Sequence, residues 1–302
     1  VLRMLDWKQP QINDGGWIRD IISEADCLES DTSFANIYLL RNKYDIQICR
    51  YKDSLIRRYS GEGARDGYTF PIGDVDIKKA LEEIENDAKI RKQPLRFAFV
   101  TEQQKQLLEE YMPDKFEFVS DQGDSDYVYM RTELANLSGK AFHKKKNHVS
   151  RFLRTYNDCV YEEIGCANWE HAISVADTWY TEHNHDISTQ KEYEAIKEAL
   201  NNFNELELMG GIVYVNSRPV AMTVASMISE NVCDVHFEKC ISEYALNGGY
   251  AFVNKEFASM LNEDIIYINR EEDVGIEGLR KAKMSYRPKM IVKKYSAVLK
   301  GE

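Results

Sequence analysis

The chain has 302 residues, of which 43% are hydrophobic and 11% aromatic. This length exceeds that of an ordinary domain with a single hydrophobic core. The apolar content is enough for two domains and excludes a wholly disordered chain. No apolar run approaches the roughly 18–20 residues that a membrane-spanning helix needs. The 50 acidic and 39 basic side chains give a formal net charge of −11, which repels polyanions at long range.

The cysteines and histidines indicate neither a disulfide framework nor a metal site. None of the six cysteines forms a C-x-x-C pair, so we expect reduced thiols and a cytoplasmic location. His183 and His185 stand close together before Asp186, but no third ligand cluster accompanies them. They are therefore predicted to lie in a polar loop after a helix over 168–182.

The first half of the chain begins with a predicted hairpin. Its strands are 45–51 and 54–59, and a short strand at 68–70 follows. Asp74 is predicted to cap a helix over 75–92, and Thr101 a helix over 102–111, because Asp and Thr favour the N-cap position. Strands are predicted at 95–100 and 116–119, on either side of that second helix.

The second half repeats this order of elements. After a basic helix over 140–157, the pattern predicts strands at 207–215, 220–228 and 232–240. The turn Asn247-Gly248-Gly249 then opens a helix, which is followed by a strand at 265–268, a helix at 276–283 and a last strand at 290–298. This order predicts an α+β fold of two mixed sheets flanked by helices. It matches the acetyltransferase-type (GNAT) fold in tandem, with domains 1–135 and 136–302.

Two segments carry a more specific resemblance. The first runs from Tyr127-Val128-Tyr129 through Leu134–Lys140 to His143–His148, and the second is Tyr267–Pro288, with Asn-Arg-Glu-x-Asp-x-Gly and Lys-x-x-Tyr-x-Pro. The chain resembles, over nearly its whole length, stand-alone bacterial proteins similar to the C-terminal domain of phosphatidylglycerol lysyltransferases. The resemblance implies a tandem GNAT fold akin to that of Fem-type transferases, which take amino acids from aminoacyl-tRNA.

The glycine turn is the first candidate site. In GNAT folds, backbone N–H groups at a helix N-terminus bind the pyrophosphate of coenzyme A. Asn247, Gly248 and Gly249 occupy that place and are predicted to bind substrate. The turn lacks the longer glycine-rich loop of coenzyme A binders, and Glu243 nearby would repel a pyrophosphate. We therefore expect weak or absent coenzyme A binding and predict no cofactor.

The strand 232–240 carries the second candidate site. Asp234, His236 and Glu238 alternate along it and are predicted to project to one face. Neighbouring carboxylates favour the protonated form of a histidine. The trio is a candidate general base or a site that captures a substrate amine, and the alternative is a local ion network at a solvent-facing edge.

The third candidate site follows the strand 265–268, at a carboxyl end where ligands bind in open sheets. Its members are Asn269, Arg270, Glu271, Asp273, Lys283 and Tyr286. Arg270 is predicted to bind a phosphate or carboxylate and Asp273 to orient an amine. The resemblance implies a functional role for Lys283, which we expect to stabilise an oxyanion. We expect the second and third sites to form one cleft, with Lys283 and Tyr286 at its rim.

Lys144, Lys145, Lys146 and Arg151 form a basic island that includes no acidic residue. Such an island in an acidic protein is predicted to guide a phosphate backbone, although a solvated helix face explains it equally well. The most favoured function is therefore an acyl or aminoacyl transferase with aminoacyl-tRNA as donor. Its acceptor is an unidentified hydroxyl or amine, on a small molecule or a lipid headgroup. The alternatives are a coenzyme A-dependent N-acyltransferase and an inert GNAT-fold protein that binds RNA or a metabolite.

Overall fold

The structure is a computed structural model that describes residues 4–61 and 65–301. The chain divides into two compact units. The first comprises Val1–Asp126, Glu272–Arg280 and Ile291–Glu302, and the second comprises Tyr127–Glu271 and Lys281–Met290. All six cysteines are free thiols.

The N-terminal part of the chain contains four α-helices and six strands within the described residues. In chain order they are α1 (Gly15–Ser23), α2 (Phe34–Leu39), β1 (Gln47–Tyr51), β2 (Asp53–Tyr59), β3 (Gly67–Thr69), β4 (Ile72–Asp74), α3 (Ile77–Arg91), β5 (Phe97–Val100), α4 (Glu102–Tyr111) and β6 (Phe116–Val119). The predicted elements from the hairpin to β6 are therefore confirmed, whereas α1, α2 and β4 were not predicted.

Of the two predicted N-caps, the one of α4 is confirmed and the one of α3 is not. The Thr101 side chain accepts a hydrogen bond from Gln104 N, which confirms it as the cap of α4. The predicted cap of α3 is wrong by two residues, because Asp76 accepts from Lys79 N whereas Asp74 ends β4. Either aspartate suits the position, and the pairing of β4 with β2 places the helix start after Asp74.

The remaining elements begin with β7. They are β7 (Asp126–Met130), α5 (Arg131–Asn136), α6 (His143–Thr155), β8 (Cys159–Glu163), α7 (Trp169–Glu182), α8 (Ile187–Asn201), β9 (Met209–Val215), β10 (Arg218–Ser229), β11 (Val232–Cys240), α9 (Ser242–Ala245), α10 (Gly249–Met260), β12 (Tyr267–Asn269), α11 (Glu277–Met284), β13 (Met290–Val292) and β14 (Tyr295–Leu299).

Each sheet has seven strands within residues 4–61 and 65–301. The first has the order β1-β2-β3-β5-β14-β6, with β4 paired to β2, and the second has the order β13-β7-β12-β11-β10-β9-β8. The single C-terminal strand predicted over 290–298 is wrong, because it is two strands in different sheets. β14 pairs with both β5 and β6 and buries Tyr295 and Ala297 in the core of the first sheet.

The predicted domain boundary at residue 135 does not coincide with the observed division into two units. The second unit begins at Tyr127, and the first unit also includes two segments from the C-terminal end. β7, at the end of the first half, belongs to the second sheet, and β14 belongs to the first. The two halves thus exchange their last strands, because hydrogen bonding across a sheet and not chain order decides membership.

The core of the second unit lies largely against α10. One cluster packs α10 with α6 and the strands β9 and β10, around Phe152 and Phe252. Another packs α10 with β7, β11 and β12, around Tyr129 and Phe257. The rings of Phe152 and Phe252 are stacked with centroids 4.7 Å apart. This packing fixes α10 against one face of β11, where part of the candidate site lies.

Candidate functional site

β11 and β12 separate after a short parallel pairing. Only Val232, Cys233 and Asp234 of β11 are paired with β12, the last opposite Asn269. β11 then continues to Cys240 paired with β10, so its second half has an open side. Polar side chains gather where the two strands part, which is the position expected for a ligand in an open sheet.

A β-bulge at His236 divides the predicted trio between two faces. Val235 pairs with Ala225 and Phe237 with Val224, so His236 is an extra residue without a cross-strand partner. Residues paired directly across strands share a face, and Asp234 pairs with Ser226 whereas Glu238 pairs with Thr223. The prediction that all three side chains share a face is therefore wrong for Glu238, and the expected single cleft becomes two clusters.

The first cluster, the Arg270 cluster, lies on the α10 face of β11. Arg270 Nη2 donates to Glu238 Oε1 at 2.9 Å, and Asn254 of α10 donates from Nδ2 to Glu238 Oε2 at 3.2 Å. The guanidinium carbon lies 4.9 Å from the ring centroid of Tyr286 and 5.8 Å from that of Tyr129. Burial opposes the charge on Arg270, yet Glu238 and the tyrosines outweigh it and raise its pKa above the usual value.

The guanidinium of Arg270 is incompletely bonded. Within the described part of the chain, Arg270 Nη1 is buried and has no hydrogen-bond partner, and the same holds for Asn254 Oδ1. A buried donor without a partner costs about 1–3 kcal/mol, so native proteins seldom leave one unless water or a ligand completes it. The Arg270 cluster thus offers an unused N–H donor at the open side of β11.

Lys145 reaches the same cluster from α6. Its Nζ lies 3.9 Å from the ring centroid of Tyr286. Burial lowers the pKa of Lys145 to about 8, and the charge of Arg270 acts in the same direction. The other basic residues predicted to bind nucleic acid, Lys144, Lys146 and Arg151, are exposed on α6. The structure therefore separates one inward lysine from three outward cations.

The second cluster, the His236 cluster, lies on the other face of β11. His236 Nε2 lies 2.8 Å from Ser226 Oγ, and Nδ1 lies 3.2 Å from Glu271 Oε1 and 3.4 Å from Asp234 Oδ2. The side chain of His236 is 3% exposed and that of Glu271 is 24% exposed. The pairing of β10 with β11 thus brings a serine hydroxyl, an imidazole and two carboxylates together.

Lys283 supports the turn that joins the two clusters. Its Nζ donates to the carbonyl oxygens of Arg270 and Glu271, the latter at 3.1 Å. Tyr129 Oη donates to Lys283 O at 2.9 Å, and Asn269 Oδ1 accepts from Glu271 N at 2.7 Å. These bonds hold the backbone after β12, where Glu271 has a φ of +57°. Asp273 belongs to the first unit, where Arg280 and Gly275 N bind its carboxylate.

The glycines of the turn Asn247-Gly248-Gly249 are explained by close packing. Gly248 has a φ of +100°, and a Cβ there would lie 2.3 Å from His148 O of α6. A Cβ on Gly249 would lie 2.4 Å from Cys240 Sγ. Asn247 Nδ2 donates to Tyr156 Oη at 2.9 Å. The two glycines allow neighbouring groups to approach closely, and the contacts of all three residues lie outside both clusters.

Several members of the two clusters were missed in the sequence. Ser226 is a buried hydroxyl in the segment 220–228, which is apolar except at Thr223 and Ser226, and Asn254 is a buried amide on α10. Either break in pattern is a signal of a polar neighbour. Tyr129 lay within the segment that carried the resemblance. His183 and His185 have local contacts, since His183 Nδ1 lies 2.7 Å from Trp179 O and His185 stacks on Tyr180.

The repeated mixed sheet with a short, parting parallel pair defines a tandem GNAT-like fold, as predicted. Solved Fem-type and GNAT-family proteins with 8% sequence identity share this fold. A family model described as "Phosphatidylglycerol lysyltransferase, C-terminal" matches residues 25–298. The chain belongs to this family, which confirms the resemblance inferred from its motifs.

Individual relatives extend this likeness. A conserved protein of unknown function from Bacteroides thetaiotaomicron is 37% identical, with a TM-score of 0.92 over 98% of this chain and 100% of that one. The L-PGS structure from Bacillus licheniformis is 13% identical, with a TM-score of 0.66 over 98% of this chain and 94% of that one, and shows the fold alone.

A curated relative is more distant. An uncharacterized protein from Mycoplasmoides gallisepticum is 21% identical over 191 residues, which is 62% of this chain, and the match spans 60% of that relative's length. Among the described residues, no helix is both long and apolar enough to cross a membrane. Family and fold together support a GNAT-like acyl or aminoacyl transferase in general terms.

Proposed function

We propose that this chain transfers an aminoacyl group from aminoacyl-tRNA to a hydroxyl or amine acceptor, at the opening between β11 and β12. The observation that carries this proposal is the buried Arg270 Nη1, which has no hydrogen-bond partner within the described residues. An ester carbonyl oxygen is an acceptor that such a donor can satisfy. Arg270 is thereby proposed as the group that binds the carbonyl of the donor ester.

The reaction needs few catalytic groups from the protein. The acceptor oxygen or nitrogen loses its proton and attacks the ester carbonyl carbon, and negative charge builds on the carbonyl oxygen. The ester C–O bond then breaks, and the ribose oxygen of the tRNA takes up a proton and leaves as a hydroxyl. A preorganised donor at the carbonyl oxygen stabilises the charge, and loss of such a donor typically lowers kcat by roughly 100–1000-fold. The nucleophile belongs to the acceptor, so positioning and proton removal supply the rest.

Lys145 is proposed as the base for the acceptor. Its pKa of about 8, which burial lowers, leaves part of the population as the neutral amine near neutral pH. A base is most effective when its pKa lies near the working pH. This role replaces the earlier assignment of Lys145 to phosphate binding. Lys283 is proposed to position Arg270 through the two backbone carbonyls it binds, in place of direct oxyanion contact.

The outward face of α6 is proposed to receive the tRNA backbone. Lys144, Lys146 and Arg151 are exposed on the helix that also carries Lys145. Attraction between these cations and phosphates weakens as salt rises. The logarithm of the binding constant falls with the logarithm of the salt concentration, with a slope of roughly 0.7–0.9 per phosphate neutralised. Replacing all three with Gln is expected to weaken tRNA binding and to lower the salt slope by about 2–3.

The decisive experiment offers the purified chain labelled aminoacyl-tRNAs and, separately, acyl-coenzyme A with a set of hydroxyl and amine acceptors. Transfer from aminoacyl-tRNA that falls at least about 100-fold in Arg270→Met supports the proposal. Arg218→Met, which replaces an exposed arginine at the start of β10, is the matched control and is expected to retain activity.

Other outcomes would point elsewhere. Transfer only from acyl-coenzyme A would favour the coenzyme A-dependent alternative. The close packing of Gly248 on α6 argues against that alternative. Binding of tRNA without turnover under any acceptor would favour an inert binding protein.

A further inference from the structure

The His236 cluster contains three atoms of the kind that bind transition metals. A carboxylate oxygen of Asp234, a ring nitrogen of His236 and a carboxylate oxygen of Glu271 lie within 4.8 Å of one another. Nδ1 of His236 is 3.4 Å from Asp234 Oδ2 and 3.2 Å from Glu271 Oε1. Neighbouring ligands of a cation bound at about 2.0–2.2 Å are separated by roughly 3.0–3.4 Å. The two spacings from His236 fall in this range.

Hydrogen bonding alone explains the arrangement less well. Nδ1 carries at most one hydrogen, yet two carboxylates approach it. Charge-assisted bonds to carboxylates are usually about 2.7–2.9 Å long, shorter than either distance here. The Asp234 side chain is fully buried and that of Glu271 is 24% exposed. Two carboxylate oxygens and one imidazole nitrogen at these spacings form a donor set that a divalent cation can bind.

Ser226 holds the imidazole in an orientation that suits a metal ligand. His236 Nε2 lies 2.8 Å from Ser226 Oγ. With the hydrogen on Nε2 donated to the serine, Nδ1 presents its lone pair to the two carboxylates. A histidine that binds a metal usually donates its other ring N–H in this way, and the partner fixes the ring and its tautomer.

The geometry points to a divalent transition-metal site formed by Asp234, His236 and Glu271. One imidazole and two carboxylates suit Zn²⁺, Mn²⁺ or Fe²⁺ better than Mg²⁺ or Ca²⁺, which prefer oxygen ligands alone. Two ligands come from β11, where His236 is the bulged residue and Asp234 lies two residues before it, and the third follows β12, so the ion would bridge the strands where they part. Because Arg270 precedes Glu271, the ion would also help to position Arg270.

The test measures metal binding directly and does not depend on the proposed function. The full chain is stripped with a chelator and titrated by calorimetry with ZnCl₂ or MnCl₂ alone, and thermal unfolding is recorded with and without each metal. The expected result is one ion bound per chain and a rise in Tm with metal concentration. Glu271→Gln is expected to weaken binding at least tenfold, and His236→Ala to abolish it.

Two control variants locate the ion. Glu238→Gln changes a carboxylate of the same strand on the opposite face, and His185→Gln removes a histidine of the 183–186 segment. Both are expected to keep the affinity within about threefold of the parent, because neither residue belongs to the set. Absence of binding, or binding that Glu271→Gln leaves unchanged, would overturn the proposal. Glu271 is 24% exposed, so its substitution provides a result even if His236→Ala fails to fold.

Discussion

Arg270 and Glu238 form an ion pair, with Nη2 2.9 Å from Oε1, on the α10 face of the strand that carries His236 on its other face. Both side chains are nearly buried, at 13% and 9% exposure. The pair therefore orients a guanidinium whose Nη1 is unbonded within the described residues. Glu238 thus orients the Arg270 Nη1 donor that the proposed reaction uses.

The first prediction concerns the stability of this pair. Arg270→Met leaves the Glu238 carboxylate buried without its cation and is expected to lower the free energy of unfolding by about 3–5 kcal/mol. Adding Glu238→Gln should restore part of the loss, because a neutral amide needs no counter-charge. Urea unfolding of the four proteins gives the coupling energy, expected to exceed about 1 kcal/mol. The more exposed pair Arg96–Asp66 is the control and should couple by less than about 1 kcal/mol.

The second prediction concerns Lys145 and pH. Its folded pKa of about 8 lies below the unfolded value of about 10.4. Between these two pH values the unfolded chain binds more protons at this site, so the contribution of Lys145 to stability rises with pH. Lys145→Met should flatten this rise in urea unfolding measured between about pH 7 and 11. Lys144→Met, an exposed neighbour on α6, should leave the slope unchanged, and an unchanged slope in Lys145→Met would contradict the assigned pKa.

The third prediction concerns the glycine turn. Gly248→Ala combines a φ of +100° with a Cβ 2.3 Å from His148 O, so we expect a loss of about 2 kcal/mol or more in the free energy of unfolding. Gly278 lies in α11, and a Cβ there meets no atom within 4 Å. Gly278→Ala should therefore be neutral or stabilising by up to about 1 kcal/mol. Equal effects of the two substitutions in chemical unfolding would refute the close approach.

The fourth prediction concerns a buried ion network in the first unit. Lys294 Nζ lies 2.8 Å from Asp126 Oδ1 and 3.2 Å from Asp31 Oδ1, and Arg57 Nη2 lies 3.1 Å from Asp31 Oδ2. Lys294→Met leaves buried carboxylates short of positive charge, and we expect a loss of about 3–5 kcal/mol in stability. Lys300→Met removes a largely exposed lysine 3.7 Å from Asp114 and should change stability by less than about 0.5 kcal/mol. Denaturant unfolding of both variants checks the difference.

Local patterns in the sequence were reliable where neighbouring residues decide the structure. The alternation of 232–240 and the glycine before α10 predicted β11 and the helix start, and Thr101 was identified as a cap. The helix α8 was missed although Asp186 caps it by accepting from Thr189 N at 2.7 Å. Asp186, which directly follows the predicted polar loop of His183 and His185, is the local signal for this helix.

By itself the sequence determined the order of most strands and helices, the family, and the residue types of the candidate site. Only the tertiary structure decided which residues meet. The bulge at His236 adds one residue to β11 and thereby moves Glu238 to the face of Arg270, since side chains alternate along a strand. The exchange of β7 and β14 between the sheets likewise depends on hydrogen bonds between distant segments. A periodic pattern fixes neither register nor sheet membership, because the same alternation satisfies many pairings.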